Sequence, residues 1–404
     1  MKKLEVLSPA GDLTRLKAAI DYGADAVYLA GEEFGMRTAA TNFGEKDMYE
    51  GIKYAHQNNA KVFVACNTLP HNDEIPRLPD FLEMLQDAGA DGVIASDIGT
   101  MSLVKKYAPK TELHVSVQSG IVNYQTAREF YNMGAKRIVT ARELSLEEIA
   151  QIRAKTPKEL DIEAFVHGAM CVSFSARCLL SSYMTGRDAN RGDCAQSCRW
   201  SYSLMEANRE GQYFDITETD KGTYILNSND LCMAEHIKDL ADAGVYSLKI
   251  EGRAKSHYYV SVVTNAYRCA VDSYLATPDA PTPQWVLEEL NKISHRNYST
   301  GFYYGNPMGE QNYKSAGYNR DYTVAAVVDG YENGCIIATV KNKFYKGQEL
   351  DCLVPKSKPI IIKADTVFNE TNEEIDSTPH PMMLIKIPCD TELPKGSVLR
   401  MKTE

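Results

Sequence analysis

Short apolar runs alternate with longer amphipathic stretches over the first 250 residues of the chain. Gly-Ala-Asp precedes an apolar run at Gly23–Asp25 and again at Gly89–Asp91, and related glycine turns occur at Gly134 and Gly244. Each turn follows a stretch with the spacing of an amphipathic helix and precedes a short β-rich run. Glycine suits the position just past a helix end because it adopts positive φ without a Cβ penalty. The repeat therefore predicts helix, glycine stop and strand in succession.

The repeat predicts eight strands, most of them separated by about 20–40 residues with a helical pattern. These strands are Leu4–Ser8, Ala26–Ala30, Val62–Asn67, Gly92–Ser96, Leu113–Gln118, Arg137–Ala141, Ile162–His167 and Tyr246–Glu251. Near-continuous apolar strands that alternate with helices indicate a parallel sheet buried on both faces, and eight such units indicate a (β/α)8 barrel. The competing fold is an open, doubly wound sheet, but no G-x-G-x-x-G follows the first strand.

The interval between the seventh and eighth predicted strands is much longer than the others. Loops that follow barrel strands lie at the catalytic face, so a long insertion there is more often functional than decorative. Ser256–Leu275 is then predicted as the eighth barrel helix. We therefore predict an α/β fold: a TIM-like barrel at residues 1–276, with the insertion after strand 7 at residues 168–235.

The pattern changes after the barrel. A proline-rich linker and a short helix near Trp285–Ser294 are predicted within residues 277–316. Short β-rich runs separated by turns then occupy residues 317–404, and they are typical of a small antiparallel β-barrel domain. The predicted runs are Thr323–Asp329, Cys335–Val340, Glu349–Val354, Ile360–Ala364 and Met383–Ile387.

The bulk properties of the 404-residue chain argue against several classes of protein. No apolar run approaches the ~20 residues of a membrane span, and the N-terminal segment lacks the apolar core of a signal peptide. The net charge of −10 argues against a surface coated in basic residues for non-specific nucleic-acid binding, although a local basic groove is compatible with an acidic total. We expect a cytoplasmic globular protein whose ten cysteines are reduced thiols.

Five of the ten cysteines lie in or next to the predicted insertion: Cys171, Cys178, Cys194, Cys198 and Cys232. Thiolates are soft ligands that suit zinc or iron–sulfur clusters. A zinc ribbon prefers tight C-x2-C pairs, which this chain lacks, and irregular spacing with one distant cysteine is closer to a 4Fe–4S site. A structural zinc site in a non-catalytic binding module remains an alternative. Arg187 and Arg191 lie among these cysteines, where their charge would offset that of a thiolate cluster or bind an anionic substrate.

Polar residues end several predicted strands, at the face where a barrel carries its chemistry. His167 ends the seventh strand and could be an acid–base group, or a structural histidine held by hydrogen bonds. Glu251 and Arg253 end the eighth strand and could contact substrate or pair with each other. Asn67, Gln118 and Arg142 end three further strands and are predicted to line the same pocket.

Several long motifs, in order along the chain, resemble peptidase family U-32, the collagenase-like peptidases. The central one is Glu163–Cys178; the others are Leu7–Gly11, Arg142–Leu144, Asn190–Gln196, and Ser247–Arg253 with Lys255. The resemblance extends over essentially the whole chain. The family name implies proteolysis, so a peptidase that acts on protein is one expected function. Ala176 departs from the family pattern, which has glycine there, and its methyl group could alter the local geometry.

Other members of this family imply a different function. They carry a 4Fe–4S cluster and act in oxygen-independent hydroxylation, and the chain is most similar to the group that hydroxylates the wobble uridine of tRNA with prephenate. The resemblance therefore implies a tRNA-modifying enzyme with prephenate as a possible co-substrate, and a homo-oligomer or a hetero-oligomer with a paralogue. It implies Cys171, Cys178 and Cys194 as cluster ligands. The fourth is Cys232 by one relative's pattern, which we prefer, or Cys198 by another's.

Overall fold

The structure, a computed structural model, describes residues 3–36, 42–171, 173–174, 178–200, 203–204, 214–215, 229–305 and 321–403. Its strands up to residue 250 are β1 (Glu5–Pro9), β2 (Ala26–Leu29), β3 (Lys61–Cys66), β4 (Gly92–Ala95), β5 (Glu112–Val115), β6 (Ala135–Val139), β7 (Asp161–Ala169), β8 (Ser203–Leu204), β9 (Phe214–Asp215), β10 (Asp230–Cys232) and β11 (Ser247–Ile250). Strands β1 to β7 pair in parallel in chain order, and β11 pairs with both β1 and β7. This pairing closes an eight-stranded barrel and confirms the predicted (β/α)8 fold.

Helices alternate with these strands. They are α1 (Leu13–Asp21), α2 (Glu45–Gln57), α3 (Leu78–Ala88), α4 (Ile98–Tyr107), α5 (Tyr124–Asn132), α6 (Leu146–Ala154), α7 (Leu180–Thr185), α8 (Ile237–Asp242), α9 (His257–Ala276) and α10 (Gln284–Leu290). Ser256 caps α9 by accepting a hydrogen bond from the backbone N–H of Tyr259. No helix in the described ranges is long and apolar enough to cross a membrane.

The insertion begins where β7 runs past the barrel. The last residues of β7 pair antiparallel with β10, and β10 pairs in parallel with β12 (Tyr298–Ser299). These two strands extend the sheet beyond the closed barrel. Helix α7 and the two-stranded β8–β9 ribbon belong to the insertion. The cysteine-bearing chain is therefore anchored on both sides by strands of the barrel sheet.

The core has an outer apolar layer and a mixed interior. The outer layer lies between strands and helices, whereas Leu7, Ala26, Tyr28, Phe63 and Ile94 form a separate apolar cluster. A buried charge network holds Arg137 against Glu5 (2.7 Å) and Glu163 (3.1 Å), with Lys249 2.6 Å from the second Glu163 oxygen. Opposite charges offset each other there, and the attraction of Lys249 and Arg137 lowers the pKa of Glu163 despite its burial.

The C-terminal domain is a six-stranded antiparallel sheet. Its strands are β13 (Tyr322–Glu332), β14 (Cys335–Val340), β15 (Glu349–Leu353), β16 (Ile360–Lys363), β17 (Leu384–Pro388) and β18 (Val398–Lys402). The order β16-β15-β18-β13-β14-β17 is a half-barrel, because no pairing among the described residues joins β16 to β17. The predicted small β-barrel is therefore open, and β18 is a strand that the sequence pattern did not predict.

Buried polar contacts fix this domain to the barrel. Arg400 on β18 lies 2.5 Å from Glu289 of α10 and 3.1 Å from Asp351 of β15, and it is fully buried. Asn265 of α9 donates to the carbonyl of Ser357 (3.0 Å). The C-terminal domain and the barrel thus share a desolvated interface, and the start of β13 is held near the barrel mouth.

Candidate active site at the barrel mouth

A small pocket lies at the carboxyl ends of the barrel strands, and we call it the mouth pocket. Its volume is about 60 Å³. The polar and charged residues that line it are Asn67, Ser116, Gln118, Arg142, Lys249, Glu251 and Arg253. All five strand-end residues predicted to face a pocket there, from Asn67 to Arg253, are in this group. Lys249 was not predicted, although a lysine inside the apolar run Ser247–Ile250 is a signal for an inward-facing charge.

Three hydrogen bonds at strand ends shape the neutral side of the mouth pocket. Asn67 donates to the hydroxyl of Ser116 (3.4 Å) and accepts from the backbone N–H of Met36 (3.2 Å). Ser96 donates to the side-chain oxygen of Gln118 (3.1 Å). These bonds orient amide groups whose side chains contribute to the pocket wall.

Arg142 links the ends of three barrel strands. Its Nη1 donates to the carbonyl of Ala169 (3.0 Å), and its Nη2 donates to Glu251 (3.1 Å). The guanidinium carbon lies 3.8 Å from the centroid of the Phe165 ring, a cation–π contact. Because Ala169 comes two residues before Cys171, Arg142 fastens the start of the cysteine segment to the barrel.

Close backbone packing brings the eighth barrel strand against its neighbours. Gly168 has φ +103°, and a Cβ at this position would lie 2.6 Å from the carbonyl oxygen of Glu251. A Cβ on Gly11, in the Leu7–Gly11 motif, would overlap the carbonyl oxygen of Arg253. Glycine at both positions lets the chain that carries Glu251 and Arg253 approach β1 and β7.

A larger cavity, the cysteine cavity, lies above the mouth pocket and has a volume of about 640 Å³. Four thiols line it: Cys171, Cys178, Cys194 and Cys198. Met36, Val117, Arg142 and Glu251 line both spaces, so the two are neighbours. Tyr258, Tyr259 and Tyr322 also line the cavity, the last from the C-terminal domain. These tyrosines were not predicted as site residues, since no local motif marks them.

Cys232 lies apart from the four cavity thiols. It is on β10, directly opposite His167 of β7, and it is not among the residues that line the cysteine cavity. Burial raises the pKa of its thiol to about 11, which disfavours the thiolate. The geometry therefore favours Cys198 over Cys232, the cysteine preferred from the sequence, as a fourth thiol.

His167 lines neither the cysteine cavity nor the mouth pocket, so of the two roles expected for it the geometry disfavours the acid–base group. Its imidazole is buried among the rings of Tyr259, Tyr267 and Tyr298, with centroids 5.4–6.1 Å away. Its Nδ1 lies 3.4 Å from the hydroxyl of Tyr267. Burial lowers the pKa of His167 to about 3, so the ring is neutral at physiological pH. These contacts are those of a structural histidine.

The structure describes the side chain of one of the two arginines predicted in the insertion, and only the backbone of the other. Arg187 is exposed and forms an ion pair with Asp193 at 2.7 Å, outside the residues that line the cavity. The backbone of Arg191 lies in a short 3-10 turn, Ala189–Arg191, but its side chain lies outside what the structure describes. An anion-binding role for either stays a prediction.

The donor set decides what the cysteine cavity can hold. Across the described ranges, no three His, Cys, Asp or Glu side chains come close enough together to hold one metal ion. A four-iron cluster is a larger body with one thiolate on each iron. The four thiols that line the cysteine cavity match the donors of such a cluster in kind and number.

Comparison with known proteins gives two family matches and several similar sequences. The model for peptidase family U32 matches residues 11–313, and the model for the U32 C-terminal domain matches residues 320–400. The tRNA hydroxylation protein P1 of Bacillus subtilis (strain 168) is 36% identical over 404 residues, which cover 99% of this chain and 95% of that protein. The tRNA hydroxylation protein P of Escherichia coli (strain K12) is 34% identical over 445 residues, covering 100% and 97%. A collagenase of Porphyromonas gingivalis is 32% identical over 317 residues, covering 76% and 75%.

Proposed function

The chain belongs to peptidase family U32, and within that family we propose that it is an enzyme that hydroxylates RNA, with the wobble uridine of tRNA as substrate and a 4Fe–4S cluster as cofactor. Similarity supports this activity, because the relatives named as tRNA hydroxylation proteins align along nearly the whole chain, through both domains. The observation that carries the proposal is structural: four thiols line one cavity at the catalytic face of the barrel.

The proposed cluster ligands are Cys171, Cys178 and Cys194, with Cys198 as the fourth thiol in the cavity and Cys232 as the alternative. When bound, a 4Fe–4S cluster supplies one-electron transfer. Replacing the hydrogen on C5 of uridine by a hydroxyl is a two-electron oxidation of the base, so a co-reactant is required. Prephenate is the candidate co-substrate that the family resemblance suggests.

The remaining cavity wall suits a nucleobase. Tyr258, Tyr259 and Tyr322 supply aromatic side chains, and the ammonium of Lys255 lies 5.1 Å from the Tyr259 ring centroid. Base-on-aromatic stacking contributes about 1–3 kcal/mol per base. A base can enter a cavity of this kind only from a single strand or after leaving its stack, and a loop nucleotide meets that condition.

The test is mass spectrometry of tRNA nucleosides from a strain that lacks the gene and any paralogue. We expect 5-hydroxyuridine derivatives to disappear. Wild type and Cys335→Ala, a thiol of the C-terminal domain, should restore them, whereas Cys171→Ala should not. Unchanged hydroxyuridine in the deletion strain contradicts the proposal.

A peptidase is the second candidate, because the similarity to the collagenase covers three quarters of both proteins. The position of His167 counts against a Cys171–His167 pair, since the imidazole is buried outside the cavity that Cys171 lines. Purified protein, prepared with and without air, should be assayed on gelatin. Cleavage that Cys171→Ala abolishes supports the peptidase, and no cleavage in either preparation argues against it.

A further inference from the structure

The mouth pocket differs from the cysteine cavity above it in charge and size. Arg142, Lys249 and Arg253 line it together with one carboxylate, Glu251. A volume of about 60 Å³ is far below the ~300 Å³ at which pockets begin to hold a whole ligand, so it suits one functional group. We propose that the mouth pocket binds the carboxylate group of a small organic acid whose other atoms extend into the cysteine cavity.

The distribution of charge within the barrel supports an anion at this level. We call the buried charges deeper in the barrel the lower layer. Its cations already have carboxylate partners: Lys249 pairs with Glu163, and Arg137 pairs with Glu163 and Glu5. The upper layer consists of the charged groups at the strand ends that line the mouth pocket: two guanidinium groups, from Arg142 and Arg253, and one carboxylate, from Glu251, which pairs with Arg142 at 3.1 Å. Arg253 is only 4% exposed, so water screens its charge poorly. A local surplus of positive charge in a desolvated pocket favours binding of an anion.

Aromatic rings hold the cations in place and leave little room for a stacked ligand ring. Lys249 Nζ lies 4.4 Å from the Tyr28 ring centroid and 5.3 Å from that of Phe165. The guanidinium of Arg142 also lies over the Phe165 ring. Because these ring faces are already used, the pocket offers charge and hydrogen bonds, and the body of the ligand has to lie elsewhere.

The shared wall indicates where that body lies. Met36, Val117, Arg142 and Glu251 border both spaces, so a molecule anchored in the mouth pocket would reach the space that the four thiols line. A planar carboxylate matches the planar fork of a guanidinium. A phosphodiester of an RNA strand carries a ribose on each side and is too bulky to enter the pocket.

This inference deepens the proposed function, since a carboxylate co-substrate would occupy the pocket, but its test needs no hydroxylation. Binding to the full-length protein, purified anaerobically, is measured by calorimetry with benzoate, malonate, their neutral amides and inorganic phosphate. We expect at least one carboxylate to bind, with its amide at least tenfold weaker.

Two variants give opposite expected shifts. Arg253→Gln should weaken carboxylate binding at least tenfold, whereas Glu251→Gln should tighten it, because it removes the negative charge of the upper layer. A gain of affinity cannot arise from misfolding. Arg77→Gln, an exposed arginine paired with Glu33, is the matched control and should bind as wild type does. The inference is overturned if wild type binds no carboxylate at about 20 mM, if both variants shift in one direction, or if phosphate binds as tightly as the best carboxylate.

Discussion

Cys232 lies directly opposite His167 in the antiparallel pairing of β10 with β7. Tyr267 of helix α9 interacts with both residues. Its hydroxyl lies 3.4 Å from the imidazole and also lowers the pKa of the Cys232 thiol, though by less than burial raises it. Two residues that the sequence assigned to the active site therefore lie outside the cysteine cavity, His167 on a barrel strand and Cys232 on the strand that extends the sheet beyond the barrel.

The first prediction concerns which cysteine is the fourth ligand of the proposed cluster. Cys198→Ala should lose most of the iron and sulfide of anaerobically prepared protein, because Cys198 lines the cysteine cavity. Cys232→Ala should keep both, since Cys232 does not line that cavity and the pKa of its thiol is raised to about 11. Iron and acid-labile sulfide per chain, with the absorbance near ~400 nm typical of iron–sulfur proteins, provide the measurement. The reverse result would make Cys232 the fourth ligand and reject the cavity assignment.

The second prediction concerns stability against pH. Because burial lowers the pKa of His167 to about 3, the folded protein binds fewer protons than the unfolded chain between about pH 6.5 and pH 3. The contribution of His167 to the free energy of unfolding is therefore fully present above about pH 6.5 and decreases as the pH falls below that value. We expect a loss of up to about 2 kcal/mol in the free energy of unfolding between pH 7 and pH 5.

His167→Phe, which retains a buried ring, should remove this contribution. Urea unfolding at pH 7 and pH 5 measures it, and His56→Phe, at an exposed histidine, is the control. An equal pH dependence in wild type and His167→Phe would refute the assignment.

The third prediction concerns the close approach of β7 to the chain after β11. Gly168→Ala should destabilise the protein by about 2 kcal/mol or more, because alanine is strained at φ +103° and its Cβ would lie 2.6 Å from the Glu251 carbonyl oxygen. Gly330→Ala, where a Cβ meets nothing within 4 Å, is the matched control. Thermal unfolding compares the two, and equal stabilities would show that the strands do not pack as described.

The fourth prediction tests the interface between the domains. Arg400→Met removes the guanidinium partner of the buried Glu289 carboxylate, which keeps Lys292 at 2.7 Å, and should cost about 3 kcal/mol. Glu289→Leu combined with Arg400→Met should recover part of that loss. Lys363→Met, in an exposed pair with Asp365, should leave stability unchanged. Denaturant unfolding of wild type, Arg400→Met, Glu289→Leu and the double variant gives the coupling. Additive losses would show that the buried pair does not join the domains.

The regular parts of the barrel were predictable from the sequence. All eight predicted strands exist with ends within a few residues, because apolar runs between glycine stops are a strong local signal. The orientation of His167 was not predictable. The pairing of β7 with β11 steps from Lys249–Phe165 to Ile250–His167, and this bulge reverses the inside–outside alternation of β7.

Strand β18 was missed for a different reason. Two of its five residues, Arg400 and Lys402, are charged and interrupt the apolar pattern, yet Arg400 is fully buried by its ion pairs. A charged side chain is satisfied inside a protein only by partners that tertiary structure supplies, so a sequence pattern cannot reveal this burial. The tyrosine side of the cysteine cavity was missed likewise, because Tyr322 reaches the barrel only through the packing of the second domain.

Closure of the barrel by β11 has a consequence for how the protein is made. Ser247 of β11 contacts Glu5 of β1 across a separation of 242 residues, and β11 also pairs with β7 on the other side of the insertion. The ribosome therefore produces all four cavity cysteines before the last barrel strand exists. During that interval the thiols have no cavity around them and are open to oxidants and to competing metals. Expression under anaerobic, iron-replete conditions should protect the chain while it folds, in addition to protecting the finished enzyme.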